Sequence, residues 1–508
     1  MNSGSRISSN NTLNDEDSAV YLHALQEALG YSQDIIFKKL RIAGRWPATL
    51  VFIEGLVDTQ LLFQSVLESL MAPAFTLPHT FENTEDIMQF LIEEVLIAGG
   101  TRISCDPEYW IHALLSGESI LLLEGKEQAL IIMTSGGEER ALTEPTSQTV
   151  IRGPMDGFTE GIKTNLSLVR RRIKDRNLRI ESFVIGEVTS TDVSILYMKT
   201  LVRQEVLEEV RSRLESIDID GILESGYIEE YIQDTALTPF PTVFNTDRPD
   251  VVAAALLEGR VAIVVSGTPF VLLVPALFMH FFQSPEDYYN RSDISTLLRI
   301  VRLSALFISM LVPALYIALT TYHQEMLPTG MLISLAAQRE GVPFPAFVEA
   351  ILMEFTYEIL REAGVRIPRN VGQAISIVGT LVIGQAAVEA GIISAAMVII
   401  VSITAISSFV IPVVSMSISI RIVRFAMMIL SGAFGMVGIF VGIIILLLHL
   451  TSLRSFGISY LSPFSPSPAG AWKDSILRVP WPYMNKRPFI TQPGNRRRQS
   501  VKKGEGQV

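Results

Sequence analysis

The 508-residue chain is 49% hydrophobic and 18% charged, with a mean hydropathy of +0.37. That is too apolar for an ordinary soluble enzyme and too charged for a bare transporter core, so the composition predicts a soluble part joined to a membrane part. A net charge of −11 gives no electrostatic case for nucleic acid, and the single cysteine, Cys105, excludes an internal disulfide and a Cys-based zinc site.

In chain order, residues 1–33 read as a polar extension. Its Asn/Ser-rich start has no apolar core behind a basic end, so an internal span rather than a cleavable signal is expected to direct insertion. Residues 34–145 and 146–290 read as two α/β subdomains in tandem, the second opening with a linker near 143–158, because the segment carries an internal repeat. Segments 113–132 and 255–274 align without a gap at an offset of 142, and 50–57 aligns with 195–202 at 145. Each copy reads as a helix stopped by Gly117 or Gly259, then a strand, a turn at Gly125 or Gly267, and a second strand. Asp250, after Pro249, is expected to cap the helix of the second copy. The repeat also reinterprets 261–282, an uncharged run that hydropathy alone types as a span. Its first-copy counterpart carries Glu124, Lys126 and Glu127, so 261–274 is predicted to be a buried hairpin.

Residues 291–455 read as a helical polytopic membrane domain of four or five spans plus a re-entrant or amphipathic element. The first span is placed at 303–320, behind Arg299 and Arg302, which put the head in the cytoplasm by the excess of cations on that side. Segment 326–338 is too short to cross and holds Pro328 and Gly330. Segments 344–363, 370–388, 390–411 and 425–448 follow. The remainder, 456–508, is a basic Pro-rich tail; from Thr451 onward there are ten Lys/Arg against two Asp/Glu, which suits either an anionic cytoplasmic leaflet or a disordered solubilising tail.

Candidate chemistry lies among the spans. On a helical wheel Glu354, Glu358, Arg361 and Glu362 share one face, Val348, Leu352, Phe355 and Ile359 share the other, and Glu349 lies near the apolar stripe. Two readings stand: carboxylates lining an aqueous cation path or gate, or an interfacial amphipathic helix with its charged face in water. Gln373, Gln385 and Glu389 serve either interhelical hydrogen bonding or the same pathway. Gly432, Gly435, Gly438 and Gly442 form a small-residue seam for close packing or oligomerisation. Enzyme signatures, metal-ligand spacing and cofactor motifs are missing, the Asp218–Gly221 stretch reads as a turn, and Arg170, Arg171 and Arg172 read as a solvated or membrane-facing surface.

Several motifs together resemble one family. Arg152-Gly-Pro-Met-Asp-Gly-Phe-Thr-Glu160, Asp218-Ile-Asp-Gly-Ile-Leu-Glu224, Pro239-Phe-Pro-Thr242, Phe282-Gln-Ser-Pro-Glu-Asp-Tyr-Tyr289, Glu325-Met-Leu-Pro328, Arg361-Glu-Ala-Gly-Val-Arg-Ile-Pro368 and Trp472-Lys-Asp474 look like the A subunit of bacterial spore germinant receptors, over roughly residues 34 to 490. The resemblance implies a multi-pass protein of the spore inner membrane with head and tail cytoplasmic. It further implies a transporter-like B subunit and a lipoprotein C subunit as partners, and homo-oligomers that release monovalent cations across the lipid bilayer. A paralogous germination channel encoded with dipicolinate-release proteins shares these motifs. A secondary transporter is the other alternative, although no inverted repeat is visible among the spans.

Overall fold

The structure is a computed structural model that describes residues 16–42, 46–71, 84–96, 100–124, 126–136, 144–145, 148, 150–366, 384–465, 474–488, 493–495 and 497–498. Its N-terminal part is built on two five-stranded sheets. The first comprises β1 (Ile35–Ile42), β2 (Trp46–Ile53), β3 (Thr101–Ser104), β4 (Ser119–Leu123) and β5 (Ala129–Ile132), in the order β1-β2-β4-β5-β3. The second repeats that order with β6 (Leu178–Ile185), β7 (Thr191–Met198), β9 (Val261–Val265), β10 (Val271–Val274) and β8 (Phe244–Thr246). Every pairing is antiparallel, and the central strands are buried along their length, which is why they read as continuous apolar runs.

The segment that hydropathy types as a span is therefore a hairpin, β9–β10, with Leu272 opposite Ile263. Gly117 and Gly259 close the equivalent helices at φ +90° and +85°, a left-handed conformation that only glycine adopts without strain. Asp250 does not cap its helix, Pro249–Leu257. Arg248 holds the N-cap position, and the Asp250 carboxylate instead accepts bonds from the Arg248 guanidinium at 2.8 Å and the Tyr289 hydroxyl at 2.6 Å.

The two subdomains are joined by buried charge. Helix α1 (Glu16–Leu29) leads into a loop whose Asp34 pairs with Arg170 at 2.8 Å, the two side chains 6% and 2% exposed. Arg170 lies in α2 (Ile162–Arg172) of the second subdomain, and Ser32 and the Leu178 carbonyl take its other donors. Arg172 pairs with Asp156. The expected solvated arginine surface is thus an interface, because a guanidinium with five donors can bridge a carboxylate and carbonyls of a neighbouring element.

The C-terminal part is helical: α3 (Ser292–Thr321), α4 (Thr329–Arg339), α5 (Ala346–Arg366), α6 (Gly384–Glu389), α7 (Ala395–Phe409) and α8 (Val414–Ser452). Two of these, α3 and α8, are long and apolar enough to cross a membrane. Helix α3 starts well before the expected residue 303. Its first turns are sealed into the head because Asp287, fully buried, takes Arg299 at 3.0 Å and Arg302 at 2.8 Å. Those two arginines, read from sequence as free positive charge flanking a span, are charge-compensated.

Helix α8 is not straight. Gly435 sits at φ 60°, ψ −138°. Residues 430 and 438 of an unbroken helix would stand about 12 Å apart, yet a Cβ built on Gly438 would overlap the Leu430 carbonyl oxygen, and one on Gly442 would lie 2.6 Å from Met427 Sδ. The chain therefore reverses at Gly435 into two packed limbs, 414–434 and 436–452. The second limb returns to the head, where His449 Nε2 meets Thr238 Oγ1 at 2.9 Å. Just after α8, β11 (Arg454–Ser455) and β12 (Ile458–Ser459) form a small hairpin, and Ser455 donates to the Thr242 carbonyl while its own oxygen accepts from Ala276 N–H. Asp474 and Arg478 then bond Arg299 and Thr296 at the start of α3.

Candidate functional site

Helix α5 carries three of the expected carboxylates. Its exposed apolar positions Val348, Leu352, Phe355 and Ile359 recur at three- and four-residue spacing, while Glu349 and Glu354 are fully buried. Apolar outside and charged inside is the reverse of a water-soluble amphipath, and the interfacial reading with its charged face in water does not describe this helix. The polar face itself is divided. Glu362 is exposed and pairs with Arg366 one turn on, whereas Glu354 and Glu358 turn toward α8.

There the partners are Arg421 and Arg424. Arg424 Nη2 lies 3.1 Å from Glu354 Oε2 and 3.3 Å from Glu358 Oε1, and Arg421 Nη1 lies 2.5 Å from Glu358 Oε2. Arg424 and Glu354 side chains are each 1% exposed. Sequence reasoning passed over both arginines by starting the last span at Phe425. The signal was present: two cations in an otherwise apolar stretch must find anions, since an unpaired charge away from water costs several kcal/mol, on the order of 3 or more.

Glu349 does a different job. Its Oε1 accepts from the Ser394 backbone N–H at 2.6 Å and from the Ser394 hydroxyl at 2.5 Å, and Ser394 is the N-cap of α7, its own oxygen accepting from Met397 N–H. A buried carboxylate at a helix N-terminus satisfies orphan donors and complements the helix dipole. Arg339, from the last turn of α4, approaches Glu349 Oε2 at 3.8 Å. One residue thus joins α4, α5 and α7.

The other expected residues are scattered. Gln385 donates to Glu389 at 2.9 Å within α6, both on the surface, and Gln373 lies outside the described residues. The glycine seam falls at the α8 reversal: Gly438 and Gly442 let the two limbs touch, Gly435 abuts Tyr322 and His323 of the α3 terminus, and Gly432 abuts Phe347 of α5. The Tyr322 hydroxyl donates to the Gly432 carbonyl at 2.7 Å, which satisfies an acceptor freed near the end of the first limb. Among the described residues no cluster of His, Cys, Asp or Glu could hold a metal ion. What the arrangement offers is a compensated charge array inside a bundle whose surface is apolar.

The family model described as Bacillus/Clostridium GerA spore germination protein matches residues 23–490. Spore germination protein KA of Bacillus subtilis (strain 168) is 50% identical over 465 residues, covering 91% of this chain and 84% of that protein. The uncharacterized membrane protein YfkQ of the same organism is 43% identical over 462 residues, covering 91% and 89%. The crystal structure of the N-terminal domain of the A subunit of the Bacillus megaterium spore germinant receptor GerK3 is 40% identical, covers 51% of this chain and 94% of that one, and has a TM-score of 0.40. With a family match over most of its length and half-identity to a germination protein along 91% of it, this chain belongs to the GerA family of spore germination proteins, the A-type subunits of germinant receptors.

Proposed function

We propose that this A-type subunit is a multi-pass protein of the spore inner membrane, that it forms an oligomer conducting monovalent cations when germinant is sensed, and that it acts with a transporter-like B subunit and a lipoprotein C subunit. The observation that carries the reading is the array Glu354–Arg424–Glu358–Arg421, held inside helices whose outward residues are apolar. Such an array is costly to bury and is retained where charge moves or where two helices must separate and re-pair. In this state the carboxylates are neutralised by α8. Conduction follows when α5 and α8 part and Glu354 and Glu358 become free to attract cations.

The path of the chain supports a cytoplasmic head and C-terminal segment. Helix α3 leaves the head, and both the second limb of α8 and the segment after it touch the head again. An even number of crossings fits this return, with head and C-terminal segment sharing the cytoplasmic side.

The test is germinant-triggered monovalent-cation flux through the protein reconstituted in liposomes with its B and C subunits. Wild type is expected to conduct, whereas Glu354→Gln and Glu358→Gln, which keep size and polarity, reduce flux at equal protein. Glu349→Ala is expected to reduce it too, by leaving the buried N–H and hydroxyl of Ser394, the N-cap of α7, without their acceptor. Wild-type flux no higher than protein-free liposomes, or unchanged flux in all three variants, overturns the pathway assignment.

A further inference from the structure

We infer that residues 474–488 and the first turns of α3 form one membrane-interface surface, whose partner is the headgroup layer of a bilayer containing anionic phospholipid. The inference rests on the membrane-embedded reading above and adds where the boundary lies and what holds it.

The segment is fastened, not adrift. Thr296 in the first turns of α3 donates to the Arg478 carbonyl at 3.3 Å and accepts from Arg478 N–H at 3.1 Å, and the Trp481 indole N–H donates to the Tyr288 carbonyl at 3.3 Å. Arg299 reaches the Asp474 carbonyl at 2.7 Å and its carboxylate at 3.2 Å. With its backbone so fixed, the segment turns Leu477, Trp481 and Tyr483 outward, at 53%, 46% and 67% exposure. Beside it α3 presents Ile294, Leu297 and Ile300, at 49%, 61% and 45%. Farther along α3, a helix long and apolar enough to cross a membrane, Phe307 is exposed as well, at 55%.

Composition distinguishes this surface from an ordinary protein contact. Trp and Tyr beside Lys and Arg is the pattern that settles at a membrane–water boundary, where a ring with one polar edge is half solvated. Residues 474–488 hold Arg478, Lys486 and Arg487 against Asp474, with Arg478 buried and Lys486 exposed. Exposed positive charge beside apolar and aromatic side chains matches anionic headgroups.

Because Cys105 is the sole cysteine, a Cys105→Ser background accepts single spin labels without interference. Labels are placed at Leu477, Tyr483 and Leu297, with Phe307 as the membrane control and Val184, 66% exposed on the second sheet, as the aqueous control. The full chain is reconstituted into phosphatidylcholine vesicles, with and without phosphatidylglycerol, and relaxation by oxygen is compared with relaxation by a water-soluble nickel complex. The expected result is an oxygen-to-nickel ratio at Leu477, Tyr483 and Leu297 between those of Phe307 and Val184, several-fold above Val184, and rising when phosphatidylglycerol is added. Values equal to Val184 with Phe307 still lipid-like overturn the inference alone. Low accessibility to both reagents overturns it in favour of a protein partner, and a ratio indifferent to phosphatidylglycerol removes the anionic headgroup. A Phe307 ratio equal to Val184 sinks the membrane-embedded reading together with this one.

Discussion

At the scale of single residues, this protein places its arginines inside. Arg170, Arg248, Arg299 and Arg424 are among its largest fully buried side chains, and each meets a carboxylate. Removing one partner of such a pair strands the other, so Asp34→Asn is expected to destabilise the head by about 3–5 kcal/mol. Thermal unfolding of the full chain in detergent reads this, and the double change Asp34→Leu with Arg170→Met is expected to recover most of the loss, because an apolar pair leaves nothing uncompensated. Asp474 gives a pH signature. Burial pushes its carboxyl up to about 6 against the pull of Arg299. A carboxyl raised in the fold contributes stability while protonated, and that contribution is lost as pH rises through about 6. Its side chain is still 23% exposed, which limits the effect to about 1–2 kcal/mol. The melting temperature is expected to fall between pH 5 and pH 7 by an increment that Asp474→Asn abolishes, tested by pH-resolved unfolding of the two proteins.

Among elements, the reversal in α8 decides most. A 39-residue apolar helix would be one long rod, but Gly435 turns it into two limbs that lie against each other along Gly438 and Gly442. The glycine seam therefore first serves the protomer. Gly438→Leu is expected to drive the limbs apart and lower accumulation and melting temperature before any effect on assembly. Gly435→Ala strains a backbone conformation that alanine rarely adopts and presses on His323 at 2.9 Å, for a cost of about 1–3 kcal/mol. A Gly438→Leu protein that melts like wild type but cross-links poorly would return the seam to a contact between copies.

For the whole molecule, the C-terminal segment meets the second subdomain of the head and the start of α3. The segment after α8 closes on the second sheet through Ser455 and on α3 through Asp474, so head, first long helix and C-terminal segment form one mechanical unit. A change in the head can reach α3 through Asp287, and α5 through the contacts of α8. Sidedness is tested with an impermeant thiol reagent. Cys105 in wild type and a cysteine introduced by Ser465→Cys are expected to be equally protected in intact cells, and labelling of only one would require an odd number of crossings.

The sequence by itself determined the repeat, and with it the pair of sheets. Two copies at a fixed offset must bury equivalent strands, and charges at the centre of one copy forbid a bilayer helix in the other. Of the five segments it offered as spans, those at 303–320 and 425–448 fall in the two helices, α3 and α8, that are long and apolar enough to cross a membrane. It could not assign partners. Whether Glu354 faces solvent or Arg424, whether Arg170 is solvated or locked to Asp34, and whether residues 425–448 run straight or fold back at one glycine depend on which elements pack together. A helical wheel sorts residues by angle but carries no distance to any other helix, so only the tertiary structure decided that Glu354 and Glu358 of α5 look inward while Glu362 faces out, and that the segment after α8 returns to the head.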